Sequence, residues 1–129
     1  MEDPIDPVLT YNQMIVETPE QEASDRLFGA LSNATRRDIV MRTMYREYSV
    51  SQLSRRYSTS FAAVQKHVAV LEKAGLVTKR ANGREQLVSG NGESLRTVHE
   101  LLNQLEAGWR DRLGQFEEVL KQSDQRKAP

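Results

Sequence analysis

The sequence predicts a mostly α-helical domain with about five helices and one two-stranded β-hairpin. Apolar residues recur at helical spacing along most of the chain, and two short helices joined by a tight turn fit residues 49–75. Asn82-Gly83 follows, and this dipeptide is the strongest short signal for a hairpin. A helix-turn-helix directly followed by a hairpin is a winged helix-turn-helix, and the last helix indicates that it is dimeric.

The first two helices have local start signals. Thr18 and Gln21 form a capping box around a proline, which predicts a helix that ends near Leu31. Asn33 is a good cap for a second helix over residues 34–45. The residues expected to face inward are Leu27, Phe28 and Leu31 in the first helix and Ile39 and Val40 in the second.

Arg36 and Arg37 lie in the first turn of the second helix, where the helix dipole disfavours cations. We therefore expect each of them to have a carboxylate or phosphate partner. A salt bridge to the first helix is the structural alternative.

The helix-turn-helix and the hairpin follow. Ser49 or Ser51 caps its first helix, Ser60 caps its second, and Gly75 ends that second helix. The predicted inward residues are Val50, Leu53 and Tyr57 in the first helix and Val64, Val68 and Leu71 in the second. The hairpin strands are residues 77–81 and 84–88, around a type I′ turn at Asn82-Gly83. This register pairs Arg80 with Glu85 and Val77 with Val88.

The last helix, predicted for residues 94–122 with Ser94 as its cap, carries one long apolar stripe. Its members are Leu95, Val98, Leu102, Leu105, Trp109, Leu113, Phe116 and Leu120. Such a stripe exceeds what a domain of this size covers alone, which indicates a homodimer. The expected dimer residues are Leu102, Leu105, Trp109, Leu113, Phe116 and Leu120.

Length and charge bound the organisation. The 129 residues fit one domain, predicted over residues 18–122 between a partly flexible acidic arm, 1–17, and a disordered tail, 123–129. The net charge is zero, but residues 1–25 carry −7 and residues 42–84 carry +7. The basic residues fall on the paired helices and the hairpin tip, which favours DNA over a merely solvated basic face.

Several functions are disfavoured. The chain has no cysteine, which excludes disulfides and thiolate metal sites. No apolar run reaches membrane-spanning length and the acidic N-terminus lacks a secretory signal, so we expect a cytoplasmic protein with no membrane partner. No catalytic motif is recognisable, and we therefore expect no enzyme activity and no cofactor.

Three segments resemble the ArsR/SmtB family of winged helix-turn-helix repressors: LFGALSNATRRDIV (27–40), VSQLSRRYSTSFAAVQKHVAVLEKAGLVTKRANGRE (50–85) and LEAGWRDRLGQFEEVL (105–120). They are similar to the family's opening helices, its DNA-reading core with the wing, and the dimer helix of one branch. The resemblance covers roughly residues 25–121, and its most specific parts are 64–68 and 71–77.

The recognition helix is expected over Ser60–Lys73. With its apolar face inward, Phe61, Ala62, Gln65 and Lys66 face outward, where side chains on a helix in the major groove reach base edges. The resemblance implies DNA contacts at the same positions, although Phe61 could have a small packing role. The remaining expected DNA contacts are Ser58, Thr59, Ser60, His67, Lys79, Arg80 and Arg84. The three turn hydroxyls also have an ordinary capping explanation, and His67 could be a capping partner.

Metal sensing is disfavoured. Relatives that sense metals have a thiolate site resembling Glu-Leu-Cys-Val-Cys-Asp-Leu, and this chain reads Glu-Tyr-Ser-Val-Ser-Gln-Leu over residues 47–53. Neutral hydroxyls bind soft metals poorly, and the last helix offers only His99.

We therefore expect a sequence-specific transcriptional regulator, interpreted as a repressor that binds an inverted-repeat operator in double-stranded DNA as a homodimer. Two alternatives remain open: a winged helix that binds an acidic protein, and a nonspecific architectural DNA binder. The sequence does not identify an inducer.

Overall fold

The computed structural model describes residues 18–127, which form five helices and three short strands. In chain order they are α1 (Pro19–Leu31), α2 (Ala34–Tyr45), β1 (Tyr48–Ser49), α3 (Val50–Ser54), α4 (Phe61–Lys73), β2 (Val77–Asn82), β3 (Glu85–Gly90) and α5 (Glu93–Lys127). The arm predicted for residues 1–17 lies outside the described residues. The chain divides after Leu95 into two compact units.

The helix starts follow the local signals of the sequence. Thr18, Asn33 and Ser60 each accept a hydrogen bond from the backbone N–H three residues on, at 3.1–3.2 Å. Of the two candidate caps for α3, Ser49 has the role: its hydroxyl accepts from Gln52 N, and its own N–H donates to the Gln52 side chain. These caps satisfy N–H groups that the helices themselves leave free.

Gly75 ends α4 as predicted. Its φ is +80°, a left-handed conformation that only glycine adopts at low cost. Its N–H donates to Glu72 O at 3.0 Å, and Leu76 N–H donates to Leu71 O at 2.9 Å. This pair of bonds is a Schellman motif, which turns the chain directly into β2.

The first unit contains the hydrophobic core. Its fully buried apolar side chains come from every helix-turn-helix element and from the sheet: Ile39, Leu53, Val64, Val68, Leu71, Leu76, Val77 and Val88. Three predicted inward residues are only partly buried, and Leu31 is one of them. Phe28 is 38% exposed. Tyr57 lies beyond the end of α3, half-buried, and its hydroxyl donates to Asp38 at 2.5 Å.

Arg36 and Arg37 have partners of a kind that the sequence did not predict. Arg36 donates to the carbonyls of Ala30 and Gly29, at 2.8 and 3.0 Å, and Arg37 donates to Leu31 O at 2.7 Å. The C-terminal carbonyls of a helix are unpaired and carry a partial negative charge, so they attract cations. The end of α1 thus offsets the unfavourable dipole at the start of α2.

The hairpin is present, but its turn lies one residue later than predicted. Asn82 pairs with Glu85, so Gly83 and Arg84 are the central residues. Gly83 has φ +64° and Arg84 does not have positive φ, which is the pattern of a type II′ turn and excludes type I′. The predicted pairings of Arg80 with Glu85 and of Val77 with Val88 are wrong, because Arg80 pairs with Leu87 and Val77 with Gly90. A shift of two residues leaves each side chain on its predicted face.

A third strand joins the hairpin. β1 pairs with β3 in the antiparallel order β1-β3-β2, with Tyr48 opposite Val88. The predicted two-stranded sheet therefore has three strands. The added strand fixes the base of the wing to the start of the helix-turn-helix.

α5 begins at Glu93, one residue before the predicted start. Asn91 Oδ1 accepts from Glu93 N at 3.2 Å, while the Ser94 hydroxyl donates to Gly75 O at 3.0 Å and so does not cap the helix. The helix extends to Lys127, so that residues 123–127 of the predicted tail are helical. None of the helices within 18–127 has the length and hydropathy needed to cross a membrane.

Candidate nucleic-acid interface

The outward face of α4 is available for contacts outside the chain. Its inward face is closed by the buried Val64, Val68 and Leu71. Gln65 and Lys66 on the other face are exposed, and neither side chain forms a hydrogen bond or ion pair with any residue of 18–127. The residues that begin this helix are exposed as well: Ser58, Thr59, Ser60, Phe61 and Ala62.

Phe61 is the large apolar residue of this face. Its side chain is 45% exposed at the first position of α4, so the core does not account for it. It lines a cavity of about 230 Å³ together with Gln65 from the same helix and Arg84 from the wing. The start of the recognition helix and the tip of the wing therefore border one concave surface.

Arg84 is the unpaired cation of that surface. It is exposed at the hairpin turn and makes no ion pair or hydrogen bond with the described part of the chain. A guanidinium with all its donors free in this position can contact the phosphate backbone or a narrow minor groove.

Arg80 differs from Arg84, although both belong to the wing. Its Nε and Nη2 donate to the two carboxylate oxygens of Glu47, both at 2.9 Å, and Ser89 also donates to Glu47. These bonds, from Arg80 first and Ser89 second, lower the pKa of Glu47 to about 2. Arg80 thus ties the wing to the residue before β1.

Lys79 is also held by an acid. Its Nζ lies 3.5 Å from Glu72 Oε1, and its side chain is only 26% exposed. Lys79 pairs with the buried Val88 in the hairpin, which places it on the core-facing side. The ion pair joins the wing to the last turn of the recognition helix.

His67 is turned toward α2. Its ring is half-buried, and Nδ1 lies 3.3 Å from a terminal nitrogen of Arg36. Burial lowers the pKa of His67, and the charge of Arg36 lowers it further. The neutral ring therefore joins the recognition helix to the second helix, a contact that helical periodicity alone did not reveal.

A second basic group, absent from the predicted interface, surrounds Tyr48. The guanidinium carbon of Arg46 lies 4.4 Å from the centre of the Tyr48 ring, and that of Arg56 lies 5.3 Å from it. Arg55 lines the same cavity. The adjacent pair Arg55-Arg56 was the signal in the sequence that could have indicated this basic group. Its position near Arg46 depends on the tertiary fold.

Of the two serines that stand where the resembling metal sensors have cysteines, Ser49 has a structural role. Ser49 is 2% exposed, and both its hydroxyl and its N–H are engaged with Gln52. The described residues contain no group of three or more His, Asp or Glu side chains placed to hold a metal ion.

α5 presents most of its predicted stripe to solvent, although Val98 near its start is buried. Leu102, Leu105, Trp109, Leu113, Phe116 and Leu120 are between 42% and 71% exposed. Six large apolar side chains on one face of a helix make an unusually apolar surface for a single chain in water.

The comparisons with known proteins agree with this architecture. Residues 33–79 match the model of the family described as bacterial regulatory protein, arsR family. The HTH-type transcriptional regulator YuzN of Bacillus subtilis, itself uncharacterized, is 35% identical over an 81-residue alignment that covers 57% of this chain and 88% of YuzN.

Solved structures show the same fold. An ArsR-like transcriptional regulator from Rhodococcus sp. RHA1 superimposes with a TM-score of 0.70 at 29% identity, over 78% of this chain and 93% of that one. The homodimeric winged helix-turn-helix DNA-binding domain of Mb0332 from Mycobacterium bovis superimposes with a TM-score of 0.54 at 20% identity, over 70% and 84% of the two chains.

The matched segment runs from the cap of α2 into β2, and it therefore includes both helices of the helix-turn-helix. The YuzN match extends the similarity across most of a relative's length. The mostly α winged helix-turn-helix predicted from the sequence is confirmed. The chain belongs to the ArsR family of bacterial regulatory proteins and contains the DNA-binding domain of a transcriptional regulator.

Proposed function

We propose that this protein is a cytoplasmic repressor that binds an inverted-repeat operator as a homodimer. One observation carries the proposal: the outward face of α4 presents unpaired Gln65 and Lys66, and Gln65 lines one cavity together with the unpaired Arg84 of the wing. Groups that can bond base edges and groups that can neutralise phosphates thus border one concave surface.

The recognition helix reads bases from its first turns. Gln65 is suited to pair with N6 and N7 of adenine, and Lys66 with O6 and N7 of guanine or with a phosphate. Phe61 and Ala62 supply apolar contacts for thymine methyl groups. These four side chains are exposed and lie on the outward face of one helix.

Phosphate contacts fix the register of the protein on the duplex. Ser58 and Thr59 offer exposed hydroxyls before α4, whereas the Ser60 hydroxyl is already engaged as its cap. Arg84 supplies the wing contact. We assign Lys79, Arg80 and His67 to the internal structure of the domain, because each already has a partner within it.

The exposed stripe of α5 is proposed as the dimer seam, with a second copy of this chain as its occupant. The stripe continues at spacings of three and four residues from Leu102 to Leu120, so an identical helix presents a complementary surface. A twofold dimer carries two recognition helices, which suits an inverted repeat with half-sites about 34–36 Å apart. A protein bound across such a site near a promoter blocks transcription.

Site selection from random duplex DNA, followed by competition binding at physiological salt, tests the proposal. We expect an inverted-repeat site that is preferred over unrelated DNA by roughly 10³-fold or more. The gene downstream of that site should increase in expression when the protein is removed. Binding without sequence preference would indicate an architectural protein instead, and absence of DNA binding would indicate a protein-binding module.

A further inference from the structure

Two arginines lie against one buried tyrosine in the first unit, and a third lines the same cavity. Tyr48 is 7% exposed, and the guanidinium carbons of Arg46 and Arg56 lie 4.4 and 5.3 Å from its ring centre. Together with Gln52 and Arg55 these residues line a cavity of about 220 Å³. Segments from the end of α2 to the turn after α3 thus bring their cationic side chains to one place.

The charge of this group is not neutralised within the described chain. None of the ion pairs within residues 18–127 involves Arg46, Arg55 or Arg56. Asp38, whose charge interacts with Arg56, already accepts bonds from Arg42 at 2.7 Å and from Tyr57 at 2.5 Å. The cavity therefore has a concentrated positive charge and no carboxylate in its lining.

The lining consists largely of hydrogen-bond donors. The Gln52 side-chain oxygen accepts from Ser49 N–H, which leaves its amide NH₂ group as a donor. A guanidinium over an aromatic ring makes contact through its face, and its N–H donors remain in its plane. A hydrogen bond from Arg46 lowers the pKa of the Tyr48 phenol, and the charges of Arg46 and Arg56 act in the same direction against burial.

We infer that this cavity is a binding site for a phosphate-class oxyanion, held by the N–H donors of Arg46, Arg55 and Arg56 beside the Tyr48 ring. Guanidinium groups bind phosphate through two parallel N–H bonds, which gives geometric specificity as well as energy. Several unpaired cations around one cavity suit a multiply charged oxyanion better than a single carboxylate.

Two sources supply this chemistry: a small free phosphorylated molecule and the phosphate backbone of DNA. Arg56 precedes the Ser60 cap of α4 by only four residues, so a DNA contact would enlarge the interface proposed above. A free anion would instead make this a separate ligand site. The anion-binding chemistry of the cavity does not depend on the proposed function.

Inorganic phosphate is the first probe, titrated into the full chain at constant ionic strength. The arginine side-chain N–H resonances, followed by heteronuclear NMR, should show saturable shifts at Arg46, Arg55 and Arg56. Arg46→Gln and Arg56→Gln should each weaken this binding at least tenfold. Arg112→Gln, an exposed arginine of α5, is the matched control and should leave it unchanged. Arg55→Gln removes an exposed arginine of the same cavity that is not stacked on Tyr48, and it should also weaken binding; it decides the question if Arg46→Gln or Arg56→Gln fails to fold.

The second probe is duplex DNA, with the slope of log K against log salt measured for the same variants. A cavity that holds a backbone phosphate gives a slope reduced by about one unit in Arg56→Gln. Saturable phosphate binding with an unchanged slope assigns the site to a free anion. Shifts that rise linearly and equally at Arg112, together with an unchanged salt slope, overturn the inference. Failure of the wild-type protein to bind DNA would refute the proposed function and leave the phosphate titration interpretable.

Discussion

α4 and α5 carry the same apolar periodicity, but the side chains of the two stripes differ in how far they are buried within the chain. Val64, Val68 and Leu71 of α4 are at most 1% exposed, whereas Trp109 and Leu105 of α5 are 56% and 71% exposed. A periodic stripe therefore predicts a helix, and it also predicts that something covers one face. It does not say whether the cover lies in the same chain or in another molecule.

The charged residues of the wing show the same contrast. Arg80 donates two hydrogen bonds to the carboxylate of Glu47. Arg84, four residues later, is unpaired within the described chain. Mutation of a side chain that has a partner inside the chain should lower the stability of the fold. Mutation of an exposed side chain without such a partner should weaken binding to another molecule.

Trp109→Ala should have the largest effect of this second kind. Truncation of a buried tryptophan commonly costs about 3–5 kcal/mol, and in a symmetric seam the loss occurs on both sides. We expect the variant to become monomeric at micromolar concentration in sedimentation experiments and to lose operator affinity. Asp111→Ala, two residues along on another face of the helix, is the control. A Trp109→Ala protein that stays fully dimeric with normal operator affinity would refute the seam.

Leu71→Ala should affect folding instead. Leu71 lies in the last turn of α4, and its side chain is fully buried. Truncation of a core leucine costs about 2–5 kcal/mol in the free energy of unfolding. Urea denaturation should show this loss in the variant. Val70→Ala removes a side chain that is 42% exposed on the same helix, and it should cost much less. Equal losses in the two variants would show that Leu71 is not a core residue of the domain.

Gln65→Ala should change specificity with little change in stability. Because the Gln65 side chain is unpaired in the described chain, its truncation should leave the fold intact. The same truncation should remove about 1–3 kcal/mol of discrimination between bases at one base pair in each half-site. Site selection with the variant should show relaxed preference at that position. An unaltered base preference would remove Gln65 from the set of base-reading residues.

Arg84→Ala and Arg80→Ala form a matched pair on one wing. Loss of the unpaired Arg84 should weaken binding to all sequences and reduce the salt slope by about one unit. Loss of Arg80 should lower the unfolding temperature, because Glu47 loses its bidentate partner. The contrast fails if Arg80→Ala changes the salt slope and Arg84→Ala does not.

The features that the sequence predicted correctly are those that depend on interactions between residues close together in the chain. The caps Thr18, Asn33 and Ser60 act within three residues of themselves, and the helix boundaries that depend on them were therefore predicted within a residue or two. The turn of the wing lies one residue later than predicted, and Gly83 is the one residue of that turn with positive φ. The pairing of β1 with β3 joins residues 40 positions apart, which no local pattern specifies.

The residues of the candidate site show the same difference between local and tertiary features. Helical geometry placed Gln65 and Lys66 outward, and the structure has both side chains exposed. The partners of Lys79, Arg80 and His67 come from other elements of the fold, so their pairing was not visible in the sequence. The gathering of arginines around Tyr48 was missed for the same reason.

The smallest expected effect comes from His67, a side chain that has a partner inside the domain. Its contribution to stability should depend on pH. Burial first, and Arg36 second, lower its pKa in the folded protein below the ordinary value of 6.5. Between these two pKa values the unfolded chain binds more protons than the folded one, so stability falls as pH falls from about 6.5 toward the folded pKa. Above pH 7 both states are neutral at this residue, and the full contribution is present.

Urea unfolding of the wild type and of His67→Gln at pH 7.5 and pH 5.5 measures this contribution. Glutamine cannot be protonated and can still accept a bond from Arg36, so the variant should lose less stability on acidification than the wild type does. His99→Gln changes the chain's other histidine, which is exposed on α5, and it should retain the extra loss that His67 causes. Because the ring already has a partner inside the domain, salt slopes of DNA binding at pH 7.5 should agree between His67→Gln and the wild type. A reduced slope would mean that His67 faces the phosphate backbone after all, and its assignment to the interior contact with Arg36 would then be wrong.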